Sequence, residues 1–412
     1  MRAYVEAYGC TLNFGESREV EDLLASKGWS IVQSPDEADL AVLATCVVVE
    51  KTERAMVKRL AELRTVPKLI VTGCMATACR EKVQSLVPDA VFVGPGDLGR
   101  MAEVTRTESG LSSPSKVERE SYGIVPIATG CLGNCSYCIT RLARGELKSR
   151  RFDDIVGTIH DMVSTGPREI RLTAQDTAAY GADIGSSLPA LVDGICGVPH
   201  DFRLRVGMMN PKNVLPKLQL VTNMYLQPKV FKFLHLPLQS ASDRILSEMD
   251  RGYTLADFKH IVTEARAVSP AISFSTDLIV GYPGETEEDH EMNLRAVAET
   301  EPDIVNVTKF SSRPGTKAAM SGPKVVGWKA KDWSREITDL RFRVAMGRNS
   351  TWIGGRVVAL STEKGKKGST IFRTDEYRQV VVKGVHQLGG FHTLRVTDAT
   401  ATYLRGELED SE

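Results

Sequence analysis

The middle of the chain alternates strand-like runs with helix-like patterns, and this alternation limits the fold more than any other feature. Six short apolar runs are separated by segments with apolar residues at helical spacing. The strand candidates cover residues 124–128, 169–173, 203–207, 231–236, 272–280 and 304–309. The helix candidates include residues 153–164, 243–249, 255–267 and 287–300. Successive βα units predict a partial or complete βα barrel, and a doubly wound sheet is the alternative.

The amino-terminal part repeats this alternation and predicts an open parallel α/β sheet. The strand candidates are residues 2–8, 39–45, 68–72 and 90–93. The helix candidates are residues 17–27, 53–63 and 80–86. A polar stretch at 105–120, with few apolar residues, predicts a linker. We therefore expect an amino-terminal domain at 1–104 and a central barrel at 117–346.

The carboxyl-terminal segment, residues 348–408, has a different pattern. Apolar and polar residues alternate in runs that glycines separate, which predicts about five short strands closing a small all-β barrel. The segment has ten Lys and Arg against five Asp and Glu, a net charge of +5. Residues 1–110 carry a net charge of −3. A basic module on a neutral chain favours binding of a polyanion.

Composition excludes several classes of protein. The chain has 412 residues, with 42% hydrophobic and 25% charged residues, as in globular proteins. The 52 Lys and Arg balance the 52 Asp and Glu, which excludes a uniformly basic coat for nucleic acid. The apolar runs are far shorter than the ~18 residues of a membrane span. The start of the chain lacks the apolar core of a signal peptide. We expect a cytoplasmic protein with no membrane contact.

Three cysteines lie close together at Cys131, Cys135 and Cys138, after the first strand candidate of the barrel. A structural zinc site takes four ligands, and an iron–sulfur cube is normally held by four thiolates. With no fourth cysteine nearby, three thiolates would leave one iron open to a substrate or cofactor. We therefore expect an iron–sulfur cluster with an open iron at these residues.

Three more cysteines, Cys10, Cys46 and Cys74, each follow a predicted strand of the amino-terminal sheet. The carboxyl ends of parallel strands share one edge, where ligands usually bind. Three thiols can therefore converge at that edge and hold a second cluster, although a buried cysteine is often only a small apolar residue. Cys79 and Cys196 lie in helical patterns, and we expect both to belong to the core.

A run of basic residues follows Cys138. It consists of Arg141, Arg144, Lys148, Arg150 and Arg151, with only Glu146 opposing them. Such a run is either a solvated surface or a contact for phosphate groups. Together with the basic carboxyl-terminal barrel, it would hold structured RNA.

The cysteine spacing resembles the radical S-adenosylmethionine superfamily, and the whole chain resembles its methylthiotransferase family. The segments that carry this resemblance include YVEAYGCTLN at 4–13, TGCMA at 72–76 and GCLGNCSYC at 130–138. The others are TC at 45–46, RGELKSR at 144–150, LTAQD at 172–176, HLPLQS at 235–240, DLIVGYPGET at 277–286 and SRPGT at 312–316. The last segment of the chain resembles the family's TRAM domain, an RNA-binding barrel.

The resemblance implies two [4Fe-4S] clusters and S-adenosylmethionine as cofactors, with an electron donor. The cluster at Cys131, Cys135 and Cys138 would be catalytic and generate a radical from S-adenosylmethionine. The auxiliary cluster at Cys10, Cys46 and Cys74 would carry or supply sulfur, and a methylthio group would be installed on an unactivated carbon. We expect Gln175, Gln239 and Asp277, near the carboxyl ends of the barrel strands, to bind S-adenosylmethionine.

The resemblance also implies a substrate. GCTLN at 9–13 and TCVVVEKTER at 45–54 look most like the archaeal and eukaryotic branch, which modifies threonylcarbamoyladenosine at position 37 of tRNA. An anticodon stem-loop is then the expected partner. The alternatives are isopentenyladenosine in tRNA and an aspartate of a small-subunit ribosomal protein. A non-catalytic iron–sulfur RNA-binding or electron-carrying protein and a zinc-binding RNA module remain as other classes.

Overall fold

The structure, a computed structural model, describes residues 1–48, 50–106 and 121–409. Its amino-terminal strands are β1 (Arg2–Ala7), β2 (Ser30–Ile31), β3 (Leu40–Thr45), β4 (Lys68–Gly73) and β5 (Val91–Phe92). Its amino-terminal helices are α1 (Thr11–Ser26), α2 (Glu50–Glu62), α3 (Cys74–Ala78), α4 (Arg80–Leu86) and α5 (Leu98–Val104). The strands form one parallel sheet in the order β2-β1-β3-β4-β5. The predicted open parallel α/β sheet is therefore confirmed.

Burial on both faces explains why the central strands of this sheet read as continuous apolar runs. All six residues of β3 are buried. Leu43 and Val71 pack with the helices on one face, whereas Val42 and Ile70 pack with α1 and α5 on the other. Side chains alternate across a strand, so a sheet covered on both faces needs apolar residues at every position.

The central part contains a parallel partial barrel. Its strands are β6 (Tyr122–Pro126), β7 (Ala128–Thr129), β8 (Lys148–Ser149), β9 (Glu169–Thr173), β10 (Arg203–Arg205), β11 (Phe233–His235), β12 (Ser273–Val280) and β13 (Ile304–Lys309). The short pair β7–β8 is antiparallel and separate. A bridge between Leu204 and Val230 links the sheets β6-β9-β10 and β11-β12-β13. The spatial order follows the chain, as in a barrel and unlike a doubly wound sheet.

Helices follow most of these strands and pack around them. They are α6 (Thr140–Arg144), α7 (Phe152–Thr165), α8 (Leu188–Cys196), α9 (Pro211–Val214), α10 (Leu218–Asn223), α11 (Asp243–Glu248), α12 (Leu255–Val268), α13 (Glu287–Thr300) and α14 (Gly327–Ser350). Capping boxes begin two of them, with Thr254 before α12 and Thr286 before α13. In both, an Asp three residues later accepts from the backbone of the capping Thr, which satisfies amide groups that would otherwise lack partners.

The carboxyl-terminal part is a closed barrel of five strands, as predicted. They are β14 (Arg356–Lys364), β15 (Ser369–Thr374), β16 (Gln379–Lys383), β17 (Phe391–Ala399) and β18 (Leu404–Leu408), in the order β14-β15-β16-β18-β17. Phe372, Val380, Leu394, Val396 and Leu404 fill its interior. The closed, basic barrel is consistent with a TRAM-like domain.

This small barrel docks on the amino-terminal ends of the central strands through the turn between β15 and β16. Tyr377, at the tip of that turn, donates a hydrogen bond to Glu169 Oε1 at 2.7 Å. Its ring lies 4.8 Å from the ring of Phe231 and 5.1 Å from that of Phe233. The Arg205 guanidinium lies over the same ring. The turn thereby closes the amino-terminal mouth of the central barrel.

Several predicted bounds differ from the structure. Helix α1 begins at Thr11, directly after Cys10, and not at residue 17. The predicted strand 124–128 is divided into β6 and β7. The long helix α14 was not predicted. The predicted linker at 105–120 lies, from residue 107 on, outside the described residues. No helix in the described ranges is long and apolar enough to cross a membrane.

Candidate active site

The loop between β7 and α6 carries Cys131, Cys135 and Cys138 at the carboxyl-terminal end of the central barrel. It begins at Gly130, whose φ is +74° and whose Cβ, if present, would lie 1.9 Å from Glu146 O. Only glycine fits that position. A Cβ at Gly133 would lie 3.5 Å from Cys131 Sγ and 3.7 Å from Cys135 Sγ, so these two thiols converge around the Gly133 backbone.

The thiols of this loop are largely withdrawn from water. Burial raises the pKa of Cys131 to about 11, and burial also raises the pKa of Cys138. Backbone amides oppose this effect, since Gly133 N donates to Cys131 Sγ at 3.3 Å and Thr140 N donates to Cys138 Sγ at 3.4 Å. Thiolates in such a place need a positive partner, which a metal cluster supplies.

A cavity of about 360 Å³ opens beside this loop. Cys135 and Cys138 line it from one side, and Gly315, Thr316 and Lys317 line it from another. The loop is held in place from below by Ser136, whose hydroxyl is hydrogen-bonded to Tyr282 OH at 2.9 Å. The cavity therefore gives the cysteine loop an open face at which a small molecule can bind.

A buried polar network lies behind the loop and was not predicted from the sequence. Arg251 donates to Cys135 Sγ at 3.2 Å and to Asn210 Oδ1 at 3.2 Å. Asp176 accepts from Asn210 N at 2.9 Å and from Asn213 Nδ2 at 2.6 Å. Burial raises the pKa of Asp176, and its hydrogen bonds partly offset this. Asp176 lies in LTAQD, one of the segments that carry the family resemblance, so the sequence did point to it. Arg251 lies in none of these segments.

The three residues expected to bind S-adenosylmethionine lie around the carboxyl-terminal half of the barrel. Gln175 follows β9, and its Oε1 atom is buried with no hydrogen-bond partner among the described residues. Gln239 follows β11 with a φ of +71°. Asp277 lies within β12 and not at its end, and its carboxylate already pairs with His235 Nε2 at 2.7 Å and Asn306 Nδ2 at 2.8 Å.

The second cysteine group has the expected placement. Cys10, Cys46 and Cys74 follow β1, β3 and β4, which are neighbours in the sheet. Gly73, with a φ of +84°, has no space for a side chain, because a Cβ would lie 2.4 Å from Thr45 O. A Cβ at Gly9 would lie 2.9 Å from Cys46 Sγ. The two glycines thus let the three loops approach each other closely.

Burial also dominates the pKa of Cys74 in this group. Cys46 and Cys74 are buried, and Cys10 is exposed. Burial raises the pKa of Cys74 to about 11; nearby Arg144 lowers it, while Cys10 and Cys46 raise it.

The two cysteine groups adjoin helices that meet at the boundary between the sheet and the barrel. Helix α3, which begins at Cys74, packs on α6, which follows Cys138 closely. Met75 of α3 and Ala143 of α6 belong to one apolar cluster. Arg313, in the loop after β13, also crosses the boundary and pairs with Glu53 Oε2 at 2.5 Å.

The basic run after Cys138 is mostly not a free phosphate contact. Arg144 is buried and pairs with Glu16 of α1, so it belongs neither to a solvated surface nor to a phosphate contact, the two alternatives for this run. Arg150 pairs with Glu19 at 2.8 Å, and Arg141 pairs with Glu146 at 3.0 Å. The remaining two, Lys148 and Arg151, are exposed. The pairs of Arg144 and Arg150 join the barrel to the sheet domain, because their partners Glu16 and Glu19 both lie on α1.

The donor sets fit iron–sulfur chemistry. In the described ranges, no three His, Cys, Asp or Glu side chains converge closely enough to hold a single metal ion. A four-iron cube separates its ligands by more than one ion does, and each group offers three thiols and no other ligand type. The unpaired Gln175 Oε1 fits a polar group of a bound cofactor. Cys79 and Cys196 are half-buried and pack against apolar clusters, as expected.

Comparisons with known proteins agree with this geometry. Residues 2–94 match the model of Uncharacterized protein family UPF0004, and residues 125–297 match that of the Radical SAM superfamily. The radical S-adenosylmethionine methyltransferase TsrM from Kitasatospora setae, with cobalamin and a [4Fe-4S] cluster bound, has a similar fold, with a TM-score of 0.56 at 14% identity over 77% of each chain. Fold and site define a radical S-adenosylmethionine enzyme, which uses an iron–sulfur cluster and S-adenosylmethionine.

Sequence relatives narrow the class. A probable threonylcarbamoyladenosine tRNA methylthiotransferase of Methanothermobacter thermautotrophicus is 37% identical over 98% of this chain and 99% of its own length. A tRNA-2-methylthio-N(6)-dimethylallyladenosine synthase of Dictyoglomus thermophilum is 33% identical over 98% of each chain. The chain belongs to the methylthiotransferase family of radical S-adenosylmethionine enzymes.

Proposed function

We propose that this enzyme converts N6-threonylcarbamoyladenosine at position 37 of tRNA into its 2-methylthio derivative, in the cytoplasm. The observation that carries the proposal is the packing of α3 on α6, which brings two three-cysteine groups to one boundary. One group suits a radical centre beside an open cavity, and the other suits a sulfur-carrying centre. A reaction that joins a sulfur group to a carbon radical needs both within reach of one substrate.

We assign one [4Fe-4S] cluster to Cys131, Cys135 and Cys138 and a second to Cys10, Cys46 and Cys74. The first group belongs to a barrel domain at 117–346, and the second to a sheet domain at 1–104. When bound, the clusters and S-adenosylmethionine supply hydrogen abstraction by a radical and the methylthio group. An external electron donor is required, because the radical step consumes one electron.

Three residues orient S-adenosylmethionine in this proposal. The buried, unpaired Oε1 of Gln175 is free to accept a hydrogen bond from a polar group of the cofactor. Gln239 and Asp277 join through their backbones, since Gln239 N donates to Asp277 O at 2.8 Å. Asp277 already pairs with His235 and Asn306. It therefore acts both by orienting these two neighbours and by contacting S-adenosylmethionine directly.

The carboxyl-terminal barrel at 348–408 binds the anticodon stem-loop in this proposal. Its turn between β14 and β15 carries Lys364, Lys366 and Lys367, and Lys383 pairs with Ser369 at the edge of that turn. All four lysines are exposed. Four positive charges in and beside this turn suit the phosphate backbone of RNA. The sequence of RNA is read mainly at unstacked loop bases.

The substrate base follows from relatives, and a second candidate has support. The probable threonylcarbamoyladenosine enzyme of Methanothermobacter thermautotrophicus is 37% identical to this chain, whereas the dimethylallyladenosine synthase is 33% identical over a comparable length. We therefore favour threonylcarbamoyladenosine and keep the isopentenyl-type adenosine as the second candidate. A ribosomal-protein substrate is disfavoured, because a basic protein would need an acidic partner surface.

Iron counting tests the two-cluster assignment. The protein is reconstituted without oxygen, as wild type and as the Cys131→Ala, Cys135→Ala, Cys138→Ala triple variant. We expect about eight irons per chain in the wild type and about four in the triple variant, since each cube holds four. A fall from about four to none would mean that Cys10, Cys46 and Cys74 hold no cluster.

Substrate competition tests the reaction. The reconstituted enzyme receives S-adenosylmethionine, a reductant and a mixture of two tRNAs, one with threonylcarbamoyladenosine and one with isopentenyladenosine. We expect mass spectrometry of the nucleosides to detect the 2-methylthio group on the threonylcarbamoyl base. Modification of only the isopentenyl base would support the second candidate. Cleavage of S-adenosylmethionine with neither base modified would contradict both.

A further inference from the structure

Arg144 makes an unusual set of contacts for a residue at the end of a short helix. It is the last residue of α6, in the barrel, and its side chain is 0% exposed. Its Nε donates to Cys74 Sγ at 3.2 Å. Its Nη1 and Nη2 donate to the two carboxylate oxygens of Glu16 at 2.5 and 2.8 Å. The guanidinium thus enters the amino-terminal sheet domain and touches a cysteine there.

The same guanidinium reaches the other two cysteine loops through Asn13. Arg144 Nη2 donates to Asn13 Oδ1 at 2.6 Å. Asn13 Nδ2 in turn donates to Tyr8 O at 2.7 Å and to Thr45 O at 2.9 Å. Those carbonyls lie just before Gly9-Cys10 and just before Cys46. One arginine is therefore within two hydrogen bonds of all three loops of the auxiliary group.

A plain interdomain ion pair does not explain this arrangement. Arg150 already supplies one at the same boundary, because its Nη1 pairs with Glu19 of α1 at 2.8 Å. Among the described residues, the Arg150 side chain hydrogen-bonds to Glu19, Pro126 O and Thr158 and to no cysteine, and it keeps 32% of its surface exposed. Burying Arg144 completely costs desolvation energy that a single ion pair often only balances. Hydrogen bonds to Cys74 and Asn13, in addition to the ion pair with Glu16, help to offset the desolvation energy of Arg144.

We propose that Arg144 is a positioning residue for the auxiliary centre: it fixes the loops of Cys10, Cys46 and Cys74 and donates a charged hydrogen bond to the Cys74 sulfur. Hydrogen bonds and positive charge at a thiolate ligand favour the reduced form of an iron–sulfur cluster. Because Arg144 lies six residues after Cys138, the radical loop and the auxiliary centre are tied by one side chain. This inference rests on the proposed function, which assigns a cluster to these cysteines.

The test isolates the auxiliary cluster. In the full-length Cys131→Ala, Cys135→Ala, Cys138→Ala variant, any remaining cluster belongs to the auxiliary group. Arg144→Met, Arg144→Lys and Arg150→Met are added separately to this parent. Iron per chain and the midpoint potential, followed by electron paramagnetic resonance, are then measured for all four proteins. Arg150→Met is the matched control, since it removes an arginine that crosses the same boundary without touching a cysteine.

We expect Arg144→Met either to lose iron or to shift the midpoint to a more negative potential. A tenfold loss in the reduction equilibrium equals about 59 mV for a one-electron couple. Arg144→Lys keeps the charge without the forked geometry, so its shift is expected to be smaller. Arg150→Met is expected to match the parent in both measurements.

The outcomes separate this inference from the proposed function. A parent that holds no iron refutes the auxiliary cluster, and with it the proposed function. A parent with about four irons, whose iron content, potential and resonance signal are unchanged by Arg144→Met, overturns the positioning role alone. Equal losses in Arg144→Met and Arg150→Met also overturn it, because the effect would then be general packing of the boundary.

Discussion

The Nη1 atom of Arg251 lies 3.2 Å from the Sγ atom of Cys135. A buried arginine of the barrel therefore contacts the loop that carries Cys131, Cys135 and Cys138. Arg251 is buried and also donates to Tyr253 OH at 3.1 Å. Arg144 makes the equivalent contact to Cys74 on the other side of the boundary. Each cysteine group therefore has one sulfur that accepts a hydrogen bond from a buried guanidinium.

Replacing Arg251 with Met should weaken retention of the radical cluster. The change removes the donor to Cys135 and leaves Asn210 Oδ1 without this partner, at a cost of about 1–3 kcal/mol for a buried polar group. Partners that orient metal ligands contribute about 10–100-fold in affinity. We expect iron loss to a chelator to be about tenfold faster in a Cys10→Ala, Cys46→Ala, Cys74→Ala background. Arg244→Met is the control, because this exposed arginine of α11 pairs with Glu248 and Asp289. An equal rate in both variants would contradict the prediction.

Replacing Gly130 with Ala should disrupt the cysteine loop, because a Cβ there would lie 1.9 Å from a backbone oxygen. Gly145 is a matched control: its φ is also +74°, but a Cβ there has nothing within 4 Å. Gly145→Ala should cost only the backbone strain of a side chain at φ +74° and ψ −155°, on the order of 1–3 kcal/mol. We expect Gly130→Ala to lower both the iron content and the thermal midpoint more than Gly145→Ala does. Equal effects would mean that the close approach of Glu146 O is unimportant.

Neutralising the lysine turn should weaken binding of tRNA in a salt-dependent way. Lys366→Gln with Lys367→Gln removes two charges, and each phosphate contact contributes about 0.7–0.9 to the slope of log affinity against log salt. We expect the slope to fall by about 1.5 with kcat unchanged at saturating tRNA. Lys259→Gln, on α12 and paired with Glu299, is the control. An unchanged slope in the double variant would place the RNA elsewhere.

Stability should fall as pH rises through the range in which Glu285 titrates. Burial raises the pKa of Glu285 to about 7, although Gly281 N and Tyr282 N donate to it and partly oppose the shift. A carboxyl with a raised pKa holds its proton longer in the folded state, so its stabilising effect is present below about pH 4.5 and lost by about pH 7. We expect the urea midpoint of the wild type to fall more between pH 5 and pH 8 than that of Glu285→Gln. Parallel profiles would contradict the assignment.

Much of the fold was predictable because the buried strands carry their signal locally. The barrel strands, and the sheet strands that lead to the three cysteines of the sheet edge, follow from runs rich in apolar residues. Leu40–Thr45, for example, is buried at every position. Helix α14 was missed because its pattern is weak, with Trp328, Phe342 and Met346 exposed among buried positions. The start of α1 was missed because Asn13 and Gly15 are poor helix formers that serve other contacts.

The polar connections of the site were not predictable from the sequence. Arg144 and Glu16 are separated by 128 residues, and Arg251 and Cys135 by 116. A local pattern records only that Arg144 belongs to a basic run, and such runs are usually solvated. Its burial depends on how α6 meets α1 and α3, which is a property of the packed domains. The same limit applies to Tyr377, whose partner Glu169 is 208 residues away.

The docking of Tyr377 bears on the size of the RNA that the proposed function requires. The turn at Tyr377 blocks one mouth of the central barrel, so the lysine turn, whose neighbour Glu363 pairs with Arg171 of β9, stands at the opposite end from the cysteine loop. In the proposed function, the RNA contacts the lysine turn while its reactive base reaches the cysteine loop, so a base that belongs to a folded RNA makes contacts that a free nucleoside lacks.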